Sequence, residues 1–274
     1  MGLSWQQGPL SPGAIGRGRE GLMFDRQSTG EVENGRGTED SDCYGASQGV
    51  GSALAEAFLK RGYNVVANSR RITKTSPFAA SANLALVDGD VRRPETAARI
   101  VDAAVSRFGS IDTLINNAGI FIPKSFTDYT SWDFDTLVST TLAGFLYVSQ
   151  LTVKHMVRQK SGCIVNVSAT LVEHPVAVAP VTLQVMAKGG LNAATRALAM
   201  EYVNDNIRVN TVALGIIKTP MDKPKAYAAL KALHPMGRLG EIKEVVDAVL
   251  FLTDATFTTG ETLHLDGGAH AGKS

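Results

Sequence analysis

Gly45-Ala-Ser-Gln-Gly-Val-Gly51 is the stretch on which the reading of this chain turns. Three glycines spaced G-x-x-x-G-x-G open a helical pattern over residues 49–61. Glycine here allows a tight turn and lets the backbone approach a pyrophosphate, which then rests on the helix N-terminus. That use would engage Gly45, Ser47, Gln48, Gly49, Val50 and Gly51. The spacing departs from the common G-x-G-x-x-G, and taken alone it describes a plain loop-to-helix turn equally well.

Outward from this loop, helix-like and strand-like segments alternate. Helical periodicity covers residues 49–61, 94–108, 131–159, 185–204 and 242–253. Short runs rich in Val, Ile and Leu cover 64–68, 84–87, 113–116, 163–167, 208–213 and 262–265. Such alternation predicts βαβ units. Strands this apolar belong in a parallel sheet covered on both faces. The expected fold is α/β: one doubly wound parallel sheet over 45–274, with helices on both faces. Residues 216–240 carry Pro220, Pro224 and Pro235 and predict a long substrate loop.

The remaining composition excludes several classes. The chain has 274 residues, 44% hydrophobic and 19% charged, with a formal net charge of +1. No global field favours nucleic acid or an anionic membrane. Cys43 and Cys163 supply neither a disulfide framework nor zinc spacing, so no metal is expected and a reducing, cytoplasmic setting is. The first residues lack the apolar core of a secretory signal. Gln6 stands where a myristoylation motif needs Ser or Thr. No uninterrupted apolar run approaches the roughly 18 residues of a membrane span.

Further segments give the glycine loop a context. Val65-Val-Ala-Asn-Ser-Arg-Arg71 ends the strand after it. Asp90-Val91 follows the next strand, and Asn116-Asn-Ala-Gly119 ends the one after. Lys188-Gly-Gly, Asn210, Gly215-Ile-Ile-Lys-Thr-Pro220 and Leu265-Asp-Gly-Gly268 complete the set. In order and interval these resemble the short-chain dehydrogenase/reductase family, over about residues 45–268. The resemblance implies a Rossmann-type fold and a nicotinamide cofactor. It places Gly45, Gly49 and Gly51 on the phosphates, Asp90 and Val91 on the adenine, and Asn117, Ala118 and Gly119 along the cofactor. Lys188 falls on the ribose hydroxyls, and Gly215, Ile217 and Thr219 on the nicotinamide end. A carboxylate at the end of the second strand would favour NAD(H). This chain has Ser69, Arg70 and Arg71 there, and a guanidinium grips a 2′-phosphate, so NADP(H) is expected over NAD(H).

The family moves its proton with a tyrosine helped by lysine, serine and asparagine. Here Gln184 stands in the tyrosine position, Ala169 in that of the serine, with Ser168 and Thr170 flanking, and Thr141 in that of the asparagine. Leu214 stands where a proline usually precedes the glycine. A glutamine amide cannot cycle a proton near neutral pH. His174 is a candidate substitute, because imidazole titrates near neutrality, and an ordinary surface histidine is the alternative. The candidate catalytic set is therefore Lys188, Gln184, Ser168, Thr141 and His174.

Three functions stay open: an oxidoreductase acting on a small-molecule carbonyl or alcohol with a degenerate site, a cofactor-binding pseudoenzyme, and a scaffold turned to another reaction. The segments 131–159 and 185–204 match helices that pair between subunits in the family, which implies a homodimer or homotetramer.

Residues 1–44 differ from all that follows. They are rich in Gly, Arg, Glu and Ser and show no apolar period, which predicts disorder. Residues 39–44, Glu-Asp-Ser-Asp-Cys-Tyr, stand where the family needs its apolar first strand. Read one base forward, codons allowed for these residues can spell Lys-Ile-Leu-Ile-Val-Thr, a suitable strand. The segment is therefore read as an off-frame or mis-assigned stretch replacing the first strand, with a divergent extension as the alternative.

Overall fold

The computed structural model describes residues 20–24, 46, 48–219 and 227–272, with backbone only for 20–24, 227 and 228. In chain order the elements are β1 (Glu20–Phe24), α1 (Gly49–Lys60), β2 (Asn64–Ser69), α2 (Ile72–Thr75), β3 (Leu84–Asp88), α3 (Pro94–Phe108) and β4 (Thr113–Asn116). Then come α4 (Ser131–Val138), α5 (Gly144–Gln159), β5 (Gly162–Ala169), α6 (Thr182–Glu201), β6 (Ile207–Leu214), β7 (Ile217–Lys218), α7 (Tyr227–Lys231), β8 (Gly240–Glu241), α8 (Ile242–Asp254) and β9 (Thr262–Leu265).

Seven strands form one parallel sheet in the order β3-β2-β1-β4-β5-β6-β9. The order runs outward both ways from the β1–β4 pair. That reversal opens a crevice at the carboxyl ends of the strands, where α/β sheets bind ligands. The expected α/β fold, doubly wound with helices on both faces, is the one observed.

Successive residues of each strand feed opposite faces, as the pleat requires. Val65, Ala67, Ile115, Val165 and Val212 join Leu54, Phe58, Val245, Val249 and Leu252 of α1 and α8. Val66, Leu114, Ile164 and Val209 join Ile100, Val148 and Met156 of α3 and α5 on the other face. Fully burying each such side chain contributes about 1.5–3 kcal/mol. Helix boundaries follow local signals. Pro94 begins α3, and Gly109, at φ 96°, ends it with a left-handed cap.

Two expectations change. Residues 131–159 form two helices, α4 and α5, joined by a π-helical turn over Ser139–Ala143. Taken as one run, Ser131–Gln159 does have the average apolarity and length of a membrane span, which a search for uninterrupted runs passes over. Half of its most apolar stretch is buried inside this fold.

The second correction concerns residues 1–44, expected to hold no strand. Glu20–Phe24 occupies the inner position, paired in parallel with β2 and β4. Leu22-Met23-Phe24 is too short a run to show a period. Residues 39–44 lie outside the described residues.

Candidate active site

The carboxyl ends of β2, β3 and β4 build one side of the crevice. The Ala46 N–H donates to the Asn68 carbonyl at 3.0 Å, tying the glycine loop to β2. The Asn68 amide donates in turn to the Val87 and Gly89 carbonyls at 2.7 and 3.1 Å, tying β2 to the end of β3. Gly49 opens α1 at φ 63°, a left-handed value that favours glycine. Gln48 precedes α1 without a side-chain cap, and no acidic residue stands in the first turn. Such an N-terminus presents amides and a positive dipole end to an anion. Gly45 and Ser47 lie outside the described residues.

Ser69 is buried at the end of β2, with Arg70 and the exposed Arg71 after it. Burial alone would raise the Asp90 carboxyl, but the Arg92 side chain and N–H, with Arg70 nearby, bring it below its ordinary value. Val91 packs where a Cβ on Gly144 would come within 3.1 Å of it, so α5 starts on a glycine.

A buried polar chain fixes the centre. The Asn116 amide donates to Ser149 Oγ and Asn166 Oδ1, both at 2.9 Å. The Asn166 amide donates to Thr195 Oγ1 at 2.8 Å, and Thr195 and Thr211 share a hydrogen bond of 2.7 Å. Being satisfied internally, this chain locks β4, β5 and β6 to α5 and α6. No sequence signal announced it.

Lys188 is 4% exposed. Its Nζ donates to the Val167 carbonyl at 2.6 Å and lies 3.3 Å from where a Cβ on Gly119 would stand. Gly119 thus leaves the room that the ammonium occupies beside Asn117 and Ala118. Gln184 is one helical turn earlier on the buried face of α6 and 6% exposed. Its Oε1 has no hydrogen-bond partner among the described residues.

Gln184, Ala169 and His174 line a cavity of about 720 Å³. Its other walls include Gly215, Ile217 and Thr219. Apolar residues dominate, among them Phe121, Val176, Leu214, Ile216, Leu230 and Leu233. Ser168 and Thr141, two of the expected catalytic positions, do not line this cavity. The pleat of β5 turns Ser168 away from the side that Ala169 faces. Thr141 is buried in the π-helical turn. Neither hydroxyl oxygen has a partner among the described residues.

His234, inside the expected loop, and His270, just past the Leu265–Gly268 motif, contribute without having been singled out from the sequence. His234 Nε2 accepts the Ile216 N–H at 3.1 Å. A Cβ on Gly215 would come within 2.7 Å of the same ring, so glycine is required there. Burial pushes the His234 pKa down, with Asp266 pulling against it. Burial would raise the Asp266 carboxyl, but hydrogen bonds from His270, Thr170 and Gly268 hold it below its ordinary value.

The residues present suit a dinucleotide: an uncapped helix N-terminus, a cationic edge at β2, and a buried lysine beside a glycine that leaves it space. They also match known proteins. A family model described as enoyl-(acyl carrier protein) reductase matches residues 45–270. The glucose 1-dehydrogenase of Gluconobacter oxydans is 33% identical over 240 residues, covering 82% of this chain and 89% of the relative. The 3beta-hydroxysteroid dehydrogenase 1 of Eggerthella lenta is 33% identical over 239 residues, covering 82% and 90%. The solved structure of ElxO with NADP bound superposes with a TM-score of 0.80 at 27% identity, covering 93% of this chain and 100% of that one.

Proposed function

The chain belongs to the short-chain dehydrogenase/reductase family, and from that premise we propose that it is an NADP(H)-dependent oxidoreductase acting on the carbonyl or alcohol of a largely apolar small molecule. The observation carrying this is the placement of Lys188 beside Gly119, one helical turn from Gln184, which lines an apolar cavity of about 720 Å³. A bound nicotinamide would supply hydride to the substrate carbon.

The chain's own parts divide the work. The N-terminus of α1 takes the pyrophosphate and the Asp90–Val91 turn the adenine. Arg70, with Arg71 behind it, takes a 2′-phosphate; no carboxylate stands at the end of β2 to select a free 2′-hydroxyl. Lys188 holds the ribose hydroxyls. The apolar walls exclude water, which strengthens charge interactions inside. In this reading Gln184, Ala169 and Thr141 stand in for the family's tyrosine, serine and asparagine, so the proton comes from elsewhere. Exposed Leu146 of α5 with Met186 and Met200 of α6 suits a homodimer or homotetramer.

One observation favours a second reading, a cofactor-binding pseudoenzyme: neither Gln184 nor Ala169 can cycle a proton. A positioned acid/base contributes about 10²–10⁴ in rate, or roughly 3–5 kcal/mol. The readings separate by following NADPH oxidation with 2-nonanone, 2-decalone and glyceraldehyde. The oxidoreductase reading predicts turnover of the apolar ketones, faster with NADPH than NADH and faster than with glyceraldehyde. Saturable NADPH binding without turnover of any carbonyl would instead establish the pseudoenzyme.

A further inference from the structure

Carbonyl reduction needs a proton at the substrate oxygen, and the cavity narrows the source. Among its described lining residues only Glu173, His174 and His234 carry ionisable side chains. His234 is committed, because its Nε2 accepts the Ile216 N–H and a proton there would break that bond. Glu173 Oε2 lies 3.1 Å from His264 Nε2. His174 remains.

Its surroundings are ordered. The His174 N–H donates to the Thr170 carbonyl at 3.0 Å, fixing the turn after β5. The His174 ring meets His270 edge to face, with centroids 6.3 Å apart and planes at 67°. His270 Nδ1 lies 3.0 and 3.1 Å from the two Asp266 oxygens. The Asp266 side chain is 1% exposed and also accepts the Thr170 hydroxyl at 2.9 Å. His270 stacks on His264 at 4.1 Å, and Glu173 holds His264. Two carboxylates therefore anchor a row of three imidazoles that ends on the cavity wall. This row is no metal centre: among the described residues, no three His, Cys, Asp or Glu side chains are placed to hold an ion.

We infer that His174 donates the proton to the substrate oxygen, and that His270, held by Asp266, is a positioning residue for its ring. The assignment rests on the oxidoreductase reading. The carbonyl carbon gains a hydride from NADPH, the C=O π pair moves to oxygen, and that oxygen takes the proton of the His174 imidazolium. The products are the alcohol, NADP⁺ and neutral imidazole. His174 is exposed, so solvent returns its proton. Imidazole is suited to this exchange because its ordinary titration falls between about pH 5 and 8. The charged and titratable groups around the row are Glu173, Asp266, His264 and His270.

The test compares His174→Gln and His174→Ala with the unaltered chain, using NADPH and 2-nonanone. The expected loss in kcat is about 10²–10⁴ with NADPH affinity unchanged, and free imidazole restores part of the rate in His174→Ala. His270→Ala lowers kcat less, while His270→Tyr keeps a ring in place and recovers rate. Without NADPH, 2-nonanone shifts the imidazole ¹⁵N resonances of His174 but not those of His155. Unaltered kcat in His174→Gln overturns the donor assignment and leaves the oxidoreductase reading standing. No turnover by the unaltered chain overturns both.

Discussion

The two sides of the crevice differ in what they retain. On the β2–β3–β4 side, the uncapped α1, Asn68, Asp90 and Gly119 make a continuous seat, joined from α6 by Lys188. On the β5–β6 side, the cavity walls present Ala169, Gln184 and many apolar groups. Under the proposed function, holding a dinucleotide and moving a proton are tasks of different side chains, and one can be kept while the other is rebuilt.

The change expected to matter most puts the family's groups back. Gln184→Tyr with Ala169→Ser raises kcat toward apolar ketones by about 10²-fold or more, with NADPH affinity unchanged. Steady-state kinetics with a parallel binding titration checks this; an unchanged kcat would mean that these positions do not limit the reaction. Pairing the substitutions matters, since members of a catalytic unit are not additive.

A smaller effect comes from Lys124, next in sequence to the lining residue Pro123. Lys124 Nζ donates to both Asp133 oxygens at 2.8 Å, and Asp133 and Thr130 form a capping box on α4. The Lys124 N–H donates to the Pro180 carbonyl at 3.0 Å, joining the segment after Phe121 and Pro123 to the 175–180 wall. Asp133→Ala removes the N3 half of the capping box and the Lys124 ion pair and costs about 1–2 kcal/mol, seen as a lower urea midpoint. It raises the ketone KM while NADPH affinity holds. Weakened NADPH binding in that variant would break the division between the two sides.

The smallest effect is in pH dependence. Hydrogen bonds from Arg238, then from the Glu241 N–H, lower the Glu244 pKa from 4.5 to about 2. A depressed folded-state value means stability fully present above pH 4.5 and lost as pH falls toward about 2. Glu244→Gln therefore lowers Tm slightly at pH 7, because the pair is largely exposed. The difference from the unaltered chain closes near the bottom of that window. Thermal melts across pH 2–7 show it, and a gap that widens on acidification would reverse the sign.

The β2–β4 side was legible because its parts are contiguous in sequence. A glycine loop, a strand end and an Asn-Asn-Ala-Gly run each carry their own geometry. Strands β4 and β9 fall on their expected bounds, and β2, β3, β5 and β6 extend theirs by one to three residues. The β5–β6 side was less legible because it is assembled from distant segments. His174 meets His270 at a sequence separation of 96, and Asp266 reaches back to Thr170. The spacing His264, Asp266, His270 is visible in the sequence, but nothing local tells that it backs a cavity wall. The π-helical turn at Ser139–Ala143 hid inside an unbroken helical period. Likewise β1, with three apolar residues among charged and glycine-rich neighbours, is specified by β2 and β4 more than by its own pattern.

The central claim is that the dinucleotide seat is intact without the tyrosine, and it is tested directly by titrating the chain with NADPH and following nicotinamide fluorescence. The account predicts saturable binding, tighter for NADPH than for NADH, and largely lost in Lys188→Met. Absence of binding by the unaltered chain, or undiminished binding in Lys188→Met, would contradict it.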